Sequence, residues 1–274
     1  GAPLGALSVD RSVAPAALRG GERAARRALT DFVETRLSRY AKARDDPDAE
    51  ATSRLSPWLH FGHLGAHEVL DAVLDHEGWT PDRLADKPRG DRAGFWGGSA
   101  SAEAFLEQLV TWRELGFNAC TYRDDYDRYG SLPDWALRTL ALHARDPRPR
   151  LYAAGDLAAA RTADPVWNAA QRELLETGTI TNYLRMIWGK RVLEWTGSPE
   201  EALATLVALN DRYALDGRDP NSYSGIFWVF GRYDRPWGPE RPIFGTVRYM
   251  SSERARKKLA MERYLERFSA GASR

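Results

Sequence analysis

The chain has 274 residues and a nearly balanced charge, with 39 lysines and arginines against 38 aspartates and glutamates. Hydrophobic residues make up 43% and charged residues 28%, which is typical of a soluble globular protein and excludes a wholly disordered chain. Cys120 is the single cysteine, which excludes an internal disulfide and a cysteine-based metal site. No apolar run approaches the roughly 20 residues that a membrane span needs. We therefore expect a cytoplasmic protein.

Helical spacing of apolar residues predicts a mostly α fold, organised as one helical domain over residues 21–274 after a flexible lead-in over 1–20. In the first half, helices are predicted over about 22–40, 63–76, 102–122 and 133–144. Ser99 or Ser101 is expected to cap the third of these helices, and Pro133 suits the first turn of the fourth.

Proline and glycine signals delimit the helices of the second half. Asp164 followed by Pro165 predicts an N-cap and a first helical residue, and Gly178 predicts the end of that helix. Further helices are predicted over 181–196, over 198–213 from a capping-box pattern, and over 252–268. Residues 216–249 are rich in proline, glycine and aromatics, which predicts a long irregular segment with a function. No stretch shows convincing strand alternation.

The sequence lacks the motifs of several common kinds of site. No G-x-G-x-x-G motif follows a strand, and no G-x-S-x-G motif is present. His63 and His67 have the spacing of two ligands on one helix, but the glutamate of the zinc motif is missing and no carboxylate completes a site. We therefore expect no metal.

Hydroxyl groups cluster at a predicted helix start. Thr52, Ser53 and Ser56 stand there with Arg54, a combination that suits a phosphate. Plain N-capping is the more ordinary explanation of the same residues.

Tryptophans are unusually frequent, ten in all. Trp188 and Trp195 lie two turns apart on one predicted helix, roughly 10 Å along its axis, and Trp167 lies on the preceding helix. Such tryptophans could pass electrons, although core packing is the ordinary role of this spacing. Arg185 shares the helix and would need an acidic partner if buried, with Asp216 among the candidates.

Aromatic residues and arginines alternate over 221–250. This mixture is what a site for unstacked bases and phosphates needs. A loop that wraps the core, with its arginines in solvent, explains the pattern equally well.

Longer motifs connect these clusters. They include SRLSPWLHFG (53–62), WREL (112–115), DPVWNAAQ (164–171), NYLRMIW (182–188), LEW (193–195), LNDRYALDGRDPN (209–221), ERPIFG (240–245) and RYM (248–250). In this order they resemble the photolyase/cryptochrome family, and most closely the class II cyclobutane pyrimidine dimer photolyases, from about Gly21 to Met250. The resemblance implies a helical domain that holds FAD without a Rossmann motif.

The resemblance implies the following roles around FAD. The phosphates and ribityl chain would be held by Tyr40, Arg44, Thr52, Ser53, Leu55 and Ser56. The flavin would be surrounded by Arg113, Asn182, Arg185 and Asp216, with Arg185 and Asp216 as an ion pair beside the ring. Asn210 matches the residue that faces flavin N5 and tunes its protonation. The tryptophans that photoreduce the flavin would be Trp188, Trp167 and Trp195.

The resemblance also implies a DNA substrate. Trp112, Met186 and Trp228 match residues that line the pocket for a flipped pyrimidine dimer, and Arg248, Arg232 and Arg241 match contacts to the DNA around it. Reduced FAD would donate an electron under blue or near-ultraviolet light, the cyclobutane ring would split, and the electron would return. We expect a monomer whose partner is DNA containing pyrimidine dimers, with no membrane involved.

Two departures from the family pattern stand out. The N-terminal α/β antenna domain of the family is not found in these 274 residues, so we expect the FAD-binding domain alone. Class II enzymes place a glutamate four residues before the pocket tryptophan, and here that position is Gln108. Glu107 is its neighbour, but in an α-helix it would point about 100° away, which makes it a poor substitute.

These departures favour a second function. A photolyase-like FAD protein without dimer repair, either a blue-light sensor or a photoenzyme for another substrate, is the alternative to a repair enzyme. A helical nucleic-acid-binding module without catalysis is a third possibility, which the retained tryptophans disfavour.

Overall fold

A computed structural model describes residues 11–87 and 93–270, and its regular elements are helices. They are α1 (Glu22–Thr35), α2 (Tyr40–Ala43), α3 (Ser56–His60), α4 (Ala66–His76), α5 (Ala100–Leu106), α6 (Arg113–Tyr122), α7 (Asp134–Leu142), α8 (Ala154–Ala158), α9 (Pro165–Thr177), α10 (Asn182–Trp195), α11 (Pro199–Tyr213), α12 (Pro220–Val229), α13 (Ser252–Lys258) and α14 (Glu262–Arg267). A π-helical turn (Glu107–Trp112) joins α5 to α6. The described ranges contain no sheet, only an isolated bridge between Arg241 and Gly245, which confirms the mostly α class.

Local signals placed several helix ends correctly. The Asp164 carboxylate accepts hydrogen bonds from the amides of Val166 and Trp167 at 3.0 and 3.1 Å, and Gly178 ends α9 at a φ of 70°. The Ser198 hydroxyl caps α11 through the amide of Glu201 at 3.1 Å. These caps confirm the predicted start and end of α9 and the start of α11.

Three predicted helices are interrupted. The first ends at Thr35 and resumes only in the short α2. The third contains the π-turn between α5 and α6. The last divides into α13 and α14 around Leu259, whose backbone is extended. Apolar residues continue at helical spacing through each interruption, so the periodicity of the sequence did not reveal them.

The prediction of an irregular segment over 216–249 was wrong in part. Pro220–Val229 forms α12, and the Asp219 carboxylate caps it through the amide of Asn221 at 2.9 Å. This is the same Asp-Pro signal that marks α9. Helix α12 packs against α6 at Gly116, where an added Cβ would lie 2.8 Å from the Pro220 carbonyl oxygen.

Two hydrophobic cores hold the helices together. The first is formed by α1, α4 and α5 and contains Phe32 and Phe105. The second is formed largely by α9 to α12 and contains Trp167 and Phe227. A large cavity lies where the two cores meet. No helix within 11–87 or 93–270 has both the length and the apolar character to cross a membrane.

The ends of the chain are described only in part. Residues 11–20 carry no helix, and the Arg19 carbonyl accepts a hydrogen bond from the Trp58 indole at 2.9 Å. Residues 1–10 of the predicted lead-in and residues 271–274 of the predicted domain lie outside the described residues, so the division at residue 20 stays a prediction.

Candidate functional site

The cavity has a volume of about 940 Å³ and is lined from both halves of the chain. Its walls come from α2, the segment 44–56, the π-turn, α10, α12 and the segment 233–248. It contains most of the residues predicted for cofactor and substrate: Tyr40, Arg44, Thr52, Ser53, Leu55, Ser56, Gln108, Trp112, Arg113, Asn182, Arg185, Met186, Asp216, Trp228 and Arg248. The fold therefore brings together residues that are up to about 200 positions apart.

The hydroxyl cluster faces the cavity and does not serve as a helix cap. Helix α3 begins at Ser56, and no side chain caps it. Ser53 closes only a local turn, with its hydroxyl accepting from the Leu55 amide at 3.4 Å. Arg54 has a φ of 56°, an uncommon value for a residue with a side chain. Of the two explanations of this cluster, the structure favours ligand binding over helix capping.

Glu173 is a wall residue that the sequence reasoning missed. Its side chain is 1% exposed, accepts a hydrogen bond from the Tyr264 hydroxyl at 2.9 Å and lies 3.7 Å from Arg54. Burial raises the pKa of the Glu173 carboxyl, and Tyr264 and Arg54 oppose that rise. One signal in the sequence could have identified Glu173. It lies three positions after Ala170 and four positions after Ala169, so an acidic residue stands on the apolar face of α9.

Arg185 organises a polar cluster at the centre of the cavity. Its guanidinium donates to the Asn210 side-chain oxygen at 3.1 Å and lies 3.4 Å from an Asp216 carboxylate oxygen. Asn210 is 3% exposed and stands behind Arg185, outside the lining of the cavity. Asp216, the acidic partner expected for Arg185, is thus in contact with it, and Asn210 is an additional partner.

Three tryptophans form a continuous buried row behind this cluster. Trp188 and Trp167 stack with their planes 7° apart and their centroids 6.4 Å apart. Trp167 meets Trp195 at 5.6 Å and 68°. Because α10 separates Trp188 from Trp195 by two turns, the ring from α9 fills the gap between them. Two hydrogen bonds fix the row, from the Trp188 indole to Gln171 at 2.9 Å and from the Trp167 indole to the Trp188 carbonyl at 3.0 Å.

The π-turn corrects the expectation for Glu107. A π-helix pairs residues five apart, so Glu107 and Trp112 share a face that an α-helix would not give them. The Glu107 carboxylate accepts a hydrogen bond from the Trp112 indole at 3.3 Å, and both side chains line the cavity beside Gln108. The expected α-helix would turn Glu107 about 100° away from Gln108, whereas in the π-turn both side chains face the cavity.

Another part of the cavity lining consists of aromatic rings and a cation, and we call it the aromatic wall. The Arg248 guanidinium lies 5.6 Å from the centroid of Trp228 and 4.8 Å from that of Trp237. Met186 lines the same region from α10. Trp237, Tyr233 and Asp234 also line the cavity. The sequence indicated the two aromatic residues only as part of the segment 221–250 and gave no signal for Asp234.

Two predicted DNA contacts do not reach the cavity. Arg232 is 6% exposed, because its guanidinium donates to the Tyr126 carbonyl at 3.0 Å and to the Ser131 hydroxyl. Arg241 stacks on Tyr249 at 4.9 Å and lines a separate, smaller cavity. Both positions carry the expected residue type, but the chain turns after α12 and directs them elsewhere.

The described residues offer no metal centre. Among residues 11–87 and 93–270, no group of three or more histidine, cysteine, aspartate or glutamate side chains is arranged to hold a metal ion. His60, three residues before His63, pairs with Asp219 at 3.2 Å.

Comparison with known proteins places this architecture. No family model matches the chain. It is 40% identical over 253 residues to the deoxyribodipyrimidine photo-lyase of Methanothermobacter thermautotrophicus, covering 92% of this chain and 52% of that protein. It is 38% identical over 265 residues to the protein of the same name from Potorous tridactylus, covering 96% of this chain and 46% of that protein.

The chain belongs to the photolyase/cryptochrome family.

Solved structures show the same fold at lower identity. A class III photolyase from Agrobacterium tumefaciens matches with a TM-score of 0.60 at 21% identity, over 90% of this chain and 44% of that one. A cryptochrome from Synechocystis matches with a TM-score of 0.64 at 18% identity, over 96% of this chain and 47% of that one. The chain spans about half the length of the photolyase relatives it matches, and the matched half is helical.

The cavity fits the cofactor expected of a photolyase/cryptochrome family member. The Ser224 hydroxyl is buried against the cavity and has no hydrogen-bond partner within the described part of the chain, so a ligand atom can satisfy it. Hydroxyls and cations at the 44–56 end suit phosphates, and the Arg185 cluster offers both donors and acceptors. The volume lies near the upper end of ordinary ligand sites, which a dinucleotide would require.

Proposed function

We propose that this chain carries out the light-driven repair of cyclobutane pyrimidine dimers in DNA, with FAD as its cofactor. One observation carries the proposal: a single cavity joins a hydroxyl-rich loop, a polar cluster around Arg185, and a wall of tryptophans and arginine, and a row of contacting tryptophan rings lies outside its lining on α9 and α10. These are the parts that a cofactor, its electron supply and a flipped base would each need.

The cofactor would lie between the hydroxyl loop and Arg185. Thr52, Ser53 and Ser56 would bind the phosphates together with Arg44, whose guanidinium is fixed by the Ala104 carbonyl at 3.3 Å. When bound and reduced, FAD supplies the light-driven electron that splits the cyclobutane ring and is afterwards returned.

The Arg185 cluster would set the electrostatics at the ring of the cofactor. Arg185 is a cation held by Asp216 and Asn210, so its charge stays at a fixed place in a partly buried site. A fixed cation favours an anionic ring beside it. Trp188, Trp167 and Trp195 would pass electrons toward the cavity in steps between neighbouring rings.

The aromatic wall would receive the damaged bases. A dimer pairs poorly in a duplex and is therefore flipped out at low energetic cost. Trp112 and Trp228 offer flat faces for stacking, and Arg248 offers a cation to a flanking phosphate.

Glu107 would supply the carboxylate that Gln108 lacks. It holds the Trp112 indole and lines the cavity, so it stands within reach of a base placed against that ring. We expect Glu107→Gln to weaken binding of dimer-containing DNA about tenfold or more, the cost of one charge-assisted hydrogen bond. A matched Gln108→Glu variant should bind at least as well as the original protein.

The test is a repair assay under blue light. The purified protein with chemically reduced FAD is mixed with an oligonucleotide that carries one thymine dimer, and the recovery of base absorbance is followed. We expect recovery in the light and none in the dark, and Trp112→Ala should abolish it while FAD stays bound. Bound, photoreducible FAD without any recovery would contradict the proposal.

A sensor without dimer repair is the second candidate. Gln108 in the pocket and the fold shared with a cryptochrome favour it. The same assay separates the two functions, because a sensor would photoreduce its flavin but leave the dimer intact.

A further inference from the structure

Lys190 is a fully buried lysine on α10, in the turn that follows Trp188. Its side chain has no solvent exposure, which is rare for lysine because burial removes the hydration of the ammonium group. Its Nζ donates a hydrogen bond to the Val229 carbonyl, the last residue of α12, at 2.5 Å. This partner is neutral, so it does not account for retaining a charge there.

One aromatic ring of the cavity wall lies close to this amine. The Lys190 Nζ lies 5.0 Å from the centroid of Trp228, within the range of a cation–π interaction. Arg248 lies 5.6 Å from the same ring. Trp228 lines the cavity and Lys190 does not, so Lys190 supports the ring without reaching the cavity itself.

Two charged side chains act on Lys190 from the segment that follows α12. Burial lowers the pKa of Lys190 to about 7, Asp234 raises it and Arg248 lowers it further. Asp234 is fixed by the Trp237 indole at 3.0 Å, and its second carboxylate oxygen is buried without a hydrogen-bond partner among the described residues. The amine therefore changes its charge near neutral pH under the control of these two neighbours.

We propose that Lys190 is a positioning residue, whose ammonium form holds the Trp228 ring in the orientation that stacks on the substrate base. The inference rests on the proposed function, because it concerns how the aromatic wall binds damaged DNA. A neutral amine keeps the bond to Val229 but loses the attraction to the ring.

Affinity for damaged DNA should therefore fall as the pH rises. We expect the Kd of an oligonucleotide with one thymine dimer to increase about fivefold between about pH 6 and about pH 8.5, the fold-change of an ordinary cation–π contact. In Lys190→Met this pH-dependent step should be absent, with weak binding throughout. Bound FAD, read from its absorbance, and a cooperative thermal transition show that the variant is folded. An unchanged step in the folded variant would overturn the inference.

Two further variants test the inference without altering the buried amine. Asp234→Asn removes the neighbour that raises the pKa of Lys190, so the midpoint of the step should move to lower pH. Arg248→Gln removes the neighbour that lowers it, so the midpoint should move to higher pH even though overall affinity falls. Midpoints that do not move in these directions would contradict control by Lys190.

The outcomes separate this inference from the proposed function. If the original protein does not distinguish dimer-containing from undamaged DNA at any pH, the proposed function fails. If it binds and repairs the dimer but shows no step, or shows the same step in Lys190→Met, only the role of Lys190 fails.

Discussion

At the scale of single residues, the burial of Lys190 has a measurable cost in stability. Its pKa is about 7 in the folded protein and about 10.4 in an unfolded chain. Between these values the unfolded state binds more protons, so the free energy of unfolding rises with pH by about 1.4 kcal/mol per unit from this group. Below pH 7 the group is charged in both states and contributes no slope.

Lys190→Met should remove that slope. Measured by denaturant unfolding at about pH 7.5 and about pH 9, the stability of the original protein relative to the variant should increase by about 2 kcal/mol. Parallel pH profiles of the two proteins would show that Lys190 stays charged in the folded state. The same amine therefore lowers stability where it holds Trp228 most strongly.

Trp167 is the residue on which the tryptophan row depends. It contacts both Trp188 and Trp195, whereas those two rings are separated by two turns of α10. Trp167→Phe should slow light-driven reduction of the bound flavin by an order of magnitude or more, because the middle step is lost. Transient absorption measures the rate. Trp79→Phe, in a ring pair far along the chain from this row, is the control and should leave the rate unchanged.

At the scale of elements, the contact between α6 and α12 depends on one glycine. An added Cβ at Gly116 would lie 2.8 Å from the Pro220 carbonyl oxygen, which is backbone and cannot rotate away. Gly116→Ala should therefore destabilise the protein by about 2 kcal/mol through overpacking. Gly155→Ala in α8 meets nothing within 4 Å and should be neutral or slightly stabilising. Equal melting temperatures for the two variants would contradict this packing.

The π-turn between α5 and α6 determines which side chains line the cavity next to Trp112. It adds one residue to a turn, so the residue that reaches Trp112 is Glu107. π-Turns occur often at functional sites, and this one places a carboxylate in the cavity. The contact between Glu107 and Trp112 depends on the π-helical geometry of the whole turn, and neither residue determines it alone.

At the scale of the whole molecule, the C-terminal helices α13 and α14 contact the segment 44–56, which contains the hydroxyl cluster. The Asp48 carboxylate accepts from the Tyr264 amide at 2.7 Å, and Arg267 pairs with Glu50 at 2.9 Å. The Tyr264 hydroxyl also reaches Glu173. The loop that would bind FAD phosphates is thus fixed by residues more than 200 positions later.

Tyr264→Phe should weaken FAD binding. The change leaves the buried Glu173 without its hydroxyl donor, so the carboxylate competes more strongly for Arg54. We expect about a fivefold rise in the Kd of FAD, equivalent to one hydrogen bond of about 1 kcal/mol, in a fluorescence titration. Arg267→Gln breaks an exposed ion pair and a contact with the neighbouring Phe268 ring, leaves the Tyr264–Glu173 hydrogen bond in place, and should change little. Equal affinities for FAD in both variants would rule out the link through Glu173.

The sequence by itself determined the helical class, the family and most of the cavity lining. Its signals are local: apolar periodicity, the Asp164 and Ser198 caps and the Gly178 stop act within a few residues. The motifs carried the family resemblance because several of them occur in one order along the chain.

Only the tertiary structure decided what each side chain contacts. Arg232 faces the core, although the family resemblance implied a DNA contact. Glu107 faces the cavity beside Gln108, although an α-helix would turn it about 100° away. Glu173 and Lys190 matter because of partners from other helices, Tyr264 and Val229. Such contacts depend on how the chain turns between helices and on a single inserted residue in the π-turn. Neither leaves a periodic or capping signal, because the energies that select them come from packing between distant segments.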